Sequence, residues 1–324
     1  MLMGKLFSKE INDIPHSISW ALTQNIEVLR RVLLGNSARY LTVIGSGGSF
    51  TAATFLAHLH ELSGFVSNAL TPLEYIAKYN QLQPNKAVAF LSAEGKNKDI
   101  FAAAQTTLNS VCPCFSLTLT TSNPLSVFCS TTGLANDISY DMPWGKDGYL
   151  ATNSLIAMMV LIVRAYDDHF KSQVDCEWIK HRRQQLRRQN VLQKFQASRS
   201  IVILYGQIGR IAALDLESKL AESALAVSEL CDYRQFAHGR HLQFASSKTP
   251  LVVAFTSPQD KRLSDETLSL LPNYVPILKL DLPENPALAE IIGTIDAMLV
   301  TEILASIQGI DPGQPEVPKF GSQI

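Results

Sequence analysis

One pattern limits this chain more than any other. Short apolar runs alternate with helical stretches, and no hairpin signal joins neighbouring runs. "YLTVI" at Tyr40–Ile44 leads into "GSGGSF" and then a helical pattern from Thr51 to Leu62. "FVSNAL" follows at Phe65, "KAVAFLS" at Lys86, a helix from Lys98 to Leu108, "PCFSLTL" at Pro113 and "DISYDMP" at Asp137. A long apolar helix from Leu150 to Tyr166 closes the series. Uninterrupted apolar strands separated by helices predict a parallel sheet covered on both faces.

The pattern then breaks in a polar, basic stretch and restarts. "SIVILYG" at Ser200, a helix to about Ser228, "LVVAFTS" at Leu251, "VPILKLDL" at Val275 and a helix from Ala287 to Ile307 repeat the first half in outline. The expected fold class is therefore α/β: two tandem doubly wound units, each a parallel sheet flanked by helices. The expected boundaries are 1–170 for the first unit with an N-terminal helix, 171–198 for a basic helical linker, and 199–324 for the second unit with a C-terminal tail. Ligands in such sheets bind beyond the carboxyl ends of the strands.

Composition narrows the function classes. Of 324 residues, 46% are hydrophobic and 18% charged, which suits a chain that buries a sizeable core. The formal net charge of −1 argues against a nucleic-acid or membrane-surface partner. The basic run Lys180–Arg183 with Arg187 and Arg188 reads as the solvated face of the linker helix. Five cysteines without framework spacing predict reduced thiols and a cytoplasmic protein. The start of the chain has no signal-peptide core, and the greasiest stretch, Leu155 to Val163, is too short to span a bilayer. No metal site is expected: Cys112 and Cys114 are too closely spaced for a usual zinc pair, and no second pair answers them.

Two stretches carry candidate chemistry. Gly45, Gly47 and Gly48 let backbone approach a ligand closely, and Ser49 with the free amides of the next helix could cradle an anion. The same glycines are also compatible with a plain turn. A dinucleotide is not expected, because Phe50 stands where the fingerprint needs its third glycine. Farther on, Asp215, Lys219 and Glu222 fall on one narrow stripe of a helix that is apolar over most of its other directions. Such a stripe is either a set of surface ion pairs or a carboxylate beside a lysine in a cleft. The second arrangement suits proton abstraction next to a carbonyl, since the lysine offsets developing enolate charge. His238, followed by Gly239, reads as an imidazole presented on a tight loop, able to move a proton near neutral pH.

With these residues in place, the chain resembles the sugar isomerase (SIS) domain family, in the two-domain arrangement of the isomerase half of glucosamine-6-phosphate synthase. The resemblance runs from about Ser19 to Pro318. "GSGGSF" resembles the family's glycine-serine phosphate loop, with Gly47, Gly48 and Ser49 in the matching places. "LSAEGKN" resembles its second phosphate loop, with Ser92 and Gly95 matching and Asn97 where a threonine is usual. "ALDLESKLAESALAVSELCDYRQFAHG" is similar to its catalytic segment without a gap. That similarity implies Glu222 as the base moving a proton between C1 and C2, Lys219 as its electrostatic partner and His238 as the ring opener. In the family this histidine serves the neighbouring subunit, which implies a homodimer with shared active sites. "GIDPGQP" is similar to the C-terminal segment, and Lys319 lies one position from a family lysine that closes over the sugar.

Three departures stand out. Glu94, after Ala93, replaces the second phosphate-loop serine; either Lys96 and Lys98 compensate or the ligand differs. The serine before the long first-half helix is replaced around Ala151. The loop "FAHGRH" adds Arg240 and His241, whose roles stay open. No glutaminase segment is seen ahead of the first unit. The expected function is an aldose–ketose isomerase, or a deaminase–isomerase, acting on a phosphorylated sugar or related carbohydrate derivative without a cofactor. The candidate binding residues are Gly47, Gly48, Ser49, Ser92, Glu94, Gly95, Asn97 and Lys319. The alternative is a non-catalytic sugar-phosphate sensor that controls a partner.

Overall fold

The computed structural model describes residues 4–35, 38–78, 86–109, 112–189, 191, 195, 200–245 and 250–315. The chain divides into two compact units. The first comprises Ile14–Lys146 and Asn153–Ser172; the second comprises Met1–Asp13, Asp147–Thr152 and Gln173–Ile324.

The first unit holds five parallel strands: β1 (Tyr40–Ile44), β2 (Val66–Leu70), β3 (Ala87–Leu91), β4 (Cys114–Thr118) and β5 (Asn136–Ser139). Their order in the sheet is β2-β1-β3-β4-β5. Every residue of β3 and β4 is buried, as the unbroken apolar runs predict. Ile44, Leu70, Val88, Phe90 and Cys114 form one core with Tyr75 of helix α4 (Pro72–Lys78), Ile100, Ala103 and Ala104 of α5 (Lys98–Thr106), and Leu125 and Cys129 of α6 (Pro124–Thr132). Helices α1 (Phe7–Thr23) and α2 (Glu27–Leu34) precede the sheet in the chain, and α3 (Gly48–Leu62) packs on β1, β2 and β3 and against α7 (Asn153–Tyr166). The Ile, Leu, Val and Phe side chains of this core, at roughly 1.5–3 kcal/mol each, are the kind of term that offsets chain entropy here.

The second unit repeats the topology with four parallel strands: β6 (Ser200–Tyr205), β7 (Val227–Asp232), β8 (Leu251–Thr256) and β9 (Ile277–Asp281), in the order β7-β6-β8-β9. One core joins Val202, Leu204, Cys231, Val252 and Ala254 to Tyr233 and Phe236 of α10 (Tyr233–Ala237), with Leu263 and Leu268 of α11 (Lys261–Ser269) packed against it. Helix α9 (Arg210–Glu222) packs along α12 (Pro286–Gln308). The expected α/β class with two parallel sheets flanked by helices is the fold found.

Two local readings change. The helix expected to run to about Ser228 ends at Glu222, and an edge strand, β7, begins at Val227. Ala224 makes the turn with a positive φ of 53°, a conformation that glycine usually supplies. The basic helix α8 (Cys176–Arg188) is not simply a solvated face. Arg182 makes a bidentate contact with buried Asp296 of α12, at 2.7 and 2.6 Å, and Arg183 reaches Glu302 at 2.7 Å. A buried carboxylate needs such a partner, so these arginines are committed to the fold of the second unit.

Candidate functional site

The sheet order of the first unit puts the switch point between β1 and β3, whose paired strands run parallel. The loops after these strands leave the sheet at the same edge, where ligands of such folds bind. They carry the two candidate anion loops.

In the first loop, Gly45 is fixed by space. A Cβ there would lie 2.2 Å from the Ser49 carbonyl oxygen and 2.7 Å from the Phe50 amide nitrogen. The Ser49 amide donates to Ser46 O at 3.2 Å and the Phe50 amide to Gly47 O at 2.8 Å. Gly47 is the N-cap of α3 at φ 55°, ψ −133°, backbone that favours glycine, and no side chain caps the helix. Gly48 and Ser49 form the first turn of α3, half-buried. An uncapped helix start at a strand-end loop offers amide donors and the positive end of the helix dipole to an anion.

In the second loop, the buried Ser92 hydroxyl accepts the Gly95 amide at 3.1 Å. Its own hydrogen is not used in that bond. Gly95, at φ 62°, closes the turn; a Cβ there would lie 1.8 Å from Asn123 Oδ1. Asn97 caps α5: its Oδ1 accepts the amides of Asp99 and Ile100 at 2.9 and 3.0 Å. Its carbonyl oxygen is thus committed to the helix. Glu94 lies between two exposed lysines, Lys96 at 3.4 Å and Lys146 at 3.7 Å. Lys146 was not anticipated, because it is remote in sequence.

In the second unit the α9 stripe splits by depth. Asp215 and Lys219 are 1% and 3% exposed, and Lys219 Nζ donates to Asp215 Oδ1 at 2.7 Å. Glu222, the last residue of the helix, is exposed and accepts the Ser218 hydroxyl at 2.5 Å. His238 is exposed and follows α10 as its C-cap, with Gly239 at φ 119° turning the chain. Among the described residues no hydrogen bond or ion pair links His238 to Asp215, Lys219 or Glu222. Arg240 pairs with Glu229 of β7 at 2.7 Å, and His241 Nδ1 lies 3.3 Å from Phe236 O. Both tie the turn to its own unit. Lys319 lies outside the described residues.

Sequence reasoning missed two buried acids beside the start of α9. Glu290, in the first turn of α12, accepts the Gly209 amide at 2.8 Å and the Ala212 amide at 3.1 Å. Burial pushes its pKa up to about 7, against the opposing pull of these amides. Asp260 accepts the Gln207 amide at 2.7 Å and the Ser257 hydroxyl at 2.9 Å. The available signal was "GQIG" after "SIVILY", the counterpart of "GSGG" after "YLTVI".

Among the described residues, no cluster of three or more His, Cys, Asp or Glu could hold a metal, and no helix is long and apolar enough to cross a membrane. No protein-family model matches the chain, and no curated protein matches it. Solved structures do. The C-terminal domain of glucosamine-fructose-6-phosphate aminotransferase from Francisella tularensis superposes with a TM-score of 0.76 at 15% identity, covering 96% of this chain and 98% of that one. Tagatose-6-phosphate ketose/aldose isomerase from Escherichia coli gives 0.72 at 17% identity, covering 97% and 96%. Glucosamine-6-phosphate deaminase from Thermotoga maritima gives 0.69 at 17% identity, covering 95% and 97%. Over nearly its whole length, the chain has the fold of this ketose/aldose isomerase, of this deaminase and of the aminotransferase's C-terminal domain.

Proposed function

We propose that the protein is a phosphosugar isomerase: an aldose–ketose isomerase, or a deaminase–isomerase, acting on a phosphorylated sugar or a related derivative. The observation that carries this reading is the buried Lys219–Asp215 pair, one turn from Glu222 on a helix of this fold. A buried ammonium beside a base is suited to enolate chemistry. Glu222 removes the C2 proton of the open-chain aldose, and the C2–H electron pair forms the C1–C2 double bond of an enediolate. Electrons of the carbonyl move to O1. Lys219 offsets that charge. Protonated Glu222 returns the proton to C1, and a proton passes from O2 to O1, giving the ketose. With an amino group at C2, the C2 imine formed instead adds water and releases ammonia.

His238 opens the sugar ring, and its exposed position suits service to a neighbouring copy in a homodimer. The uncapped start of α3, Ser49 and the unused hydroxyl hydrogen of Ser92 hold the anionic end, with Gly47, Gly48 and Gly95 shaping the loops. Asn97 contributes through its amide hydrogens. No cofactor enters this chemistry. Five free thiols suit a reducing, cytoplasmic setting.

A panel of aldose, ketose and 2-amino sugar phosphates, read first by thermal shift and then by proton NMR in heavy water, tests the reading. A stabilising sugar phosphate that also incorporates deuterium at C1 or C2 is expected. Stabilisation without exchange across the panel favours a sensor, and no stabilisation by any member overturns the proposal.

A further inference from the structure

The two units present equivalent loops in different states. In each sheet, the strand that precedes the glycine-rich loop, β1 or β6, lies second in the order. In the first unit that loop runs into α3, whose start no side chain caps. In the second it runs into α9, whose N-cap Gly209 likewise has no capping side chain of its own. There a carboxylate from another helix fills the position. Glu290 is 1% exposed, with one oxygen on the Gly209 amide and the other on the Ala212 amide. The amides of Arg210 and Ile211 face it as well and favour its charged form. Amides only donate, so a pair of oxygens facing several of them fits the ionised carboxylate.

The surroundings are shaped for this contact. Gly293 lies one turn beyond Glu290 on α12, and a Cβ there would come within 2.7 Å of Ala212 Cβ. Only glycine lets α12 approach α9 closely enough for Glu290 to reach the amides. Gly209 has φ +95°, and a Cβ there would meet Phe255 Cβ and Leu282 Cδ1 at 2.9 Å. The preceding loop is sealed as well: a Cβ on Gly206 would lie 2.2 Å from Asp260 Oδ2, the oxygen that accepts the Gln207 amide. A serine or aspartate at the N-cap satisfies a helix start locally. This chain instead uses two acids from distant segments.

We propose that Glu290 is the built-in anion of the second unit. Its carboxylate occupies the position that an anionic ligand takes at the equivalent loop of the first unit, closes the second loop to phosphate, and positions α9 with Asp215, Lys219 and Glu222. The positioning role rests on the reading of Lys219 and Glu222 as catalytic residues; the occupancy of the helix start does not.

Chemical rescue tests both parts. Glu290→Ala leaves a small cavity lined by amide donors. At roughly pH 8, formate against chloride at matched ionic strength is expected to raise the melting temperature of Glu290→Ala by about 2–4 °C once formate exceeds its Kd about tenfold. Wild type and Glu290→Gln are expected not to respond. A folded Glu290→Ala that ignores formate overturns the occupancy. Should Glu290→Ala fail to fold, the isosteric Glu290→Gln carries the test through amide exchange at Gly209–Ala212, expected to be about tenfold faster than in wild type. Rapid exchange of those amides in wild type itself overturns the proposal. For positioning, kcat per folded molecule of Glu290→Ala on the sugar phosphate that wild type turns over is expected to fall, with KM little changed, and formate is expected to restore it. Formate stabilisation without recovery of kcat overturns positioning alone. A wild type that turns over no sugar phosphate overturns the isomerase reading and the positioning role with it, while the formate and exchange results still decide the occupancy.

Discussion

Lys219 Nζ lies 2.7 Å from Asp215 Oδ1, one helical turn back along α9, and solvent reaches almost none of either side chain. Two charges removed from water together stabilise little, but either one left alone is costly. The pair is therefore poor value as a structural device and sensible as a way to hold a charged lysine in a dry place.

This makes stability and chemistry separable. Asp215→Ala or Lys219→Ala alone is expected to cost about 3–5 kcal/mol, because a charge stays buried without its ion-pair partner. The double change Asp215→Leu with Lys219→Met is expected to be near neutral in urea denaturation, yet inactive. A double variant as unstable as the sum of the single changes contradicts the account.

Stability is expected to vary with pH through Glu10, a buried carboxyl that accepts the Gly148 amide at 2.7 Å. Desolvation by burial pushes its pKa from 4.5 up to about 7, outweighing the opposing amide bond. Between these values the folded state holds a proton that the unfolded state has lost. The contribution is present below about pH 4.5 and is lost as pH rises through about 7. Glu10→Gln removes this titration, so its urea midpoint is expected to fall less than that of wild type between about pH 5 and about pH 8. A steeper fall in the variant contradicts the assignment.

Glu94 neutralises part of the charge of Lys96 and Lys146. Glu94→Ser takes this carboxylate away from both lysines beside the second loop. Inorganic phosphate is expected to bind about threefold to tenfold tighter, roughly 0.7–1.4 kcal/mol, with the gain fading as salt screens these exposed groups. Calorimetry that finds weaker binding indicates that Glu94 itself holds the ligand.

Shared sites predict complementation. Glu222→Gln and His238→Ala are each expected to be impaired, and subunits mixed and reassorted are expected to recover partial activity, because a two-fold dimer then regains one intact set of groups. No recovery after verified exchange, or an active monomer in light scattering, contradicts the dimer reading.

Much of the fold was legible because parallel strands advertise themselves. "YLTVI", "KAVAFLS", "SIVILYG" and "LVVAFTS" each became a strand in the expected place, since a strand buried on both faces must be apolar throughout. Strand β7 was missed for the opposite reason: "VSELCD" lies at the sheet edge, largely unburied, and carries no such run. The loops and the α9 stripe were visible because spacing along one segment reveals them. The partners of that stripe's helix were not. Glu290, Asp296 and Glu302 read as three acids in a long apolar helix, and nothing local says that one meets the amides of α9 while two meet Arg182 and Arg183. Asn97 shows the limit in the other direction: a residue type that suits an anion loop equally suits a helix cap, and its carbonyl oxygen serves as the cap.

The most direct test of the central claim is deuterium incorporation at C1 or C2 of a sugar phosphate in heavy water, wild type against Glu222→Gln. The account predicts exchange by wild type and a loss on the order of 10²–10⁴ in the variant, with ligand-induced thermal stabilisation retained. Exchange by Glu222→Gln at the wild-type rate would contradict it.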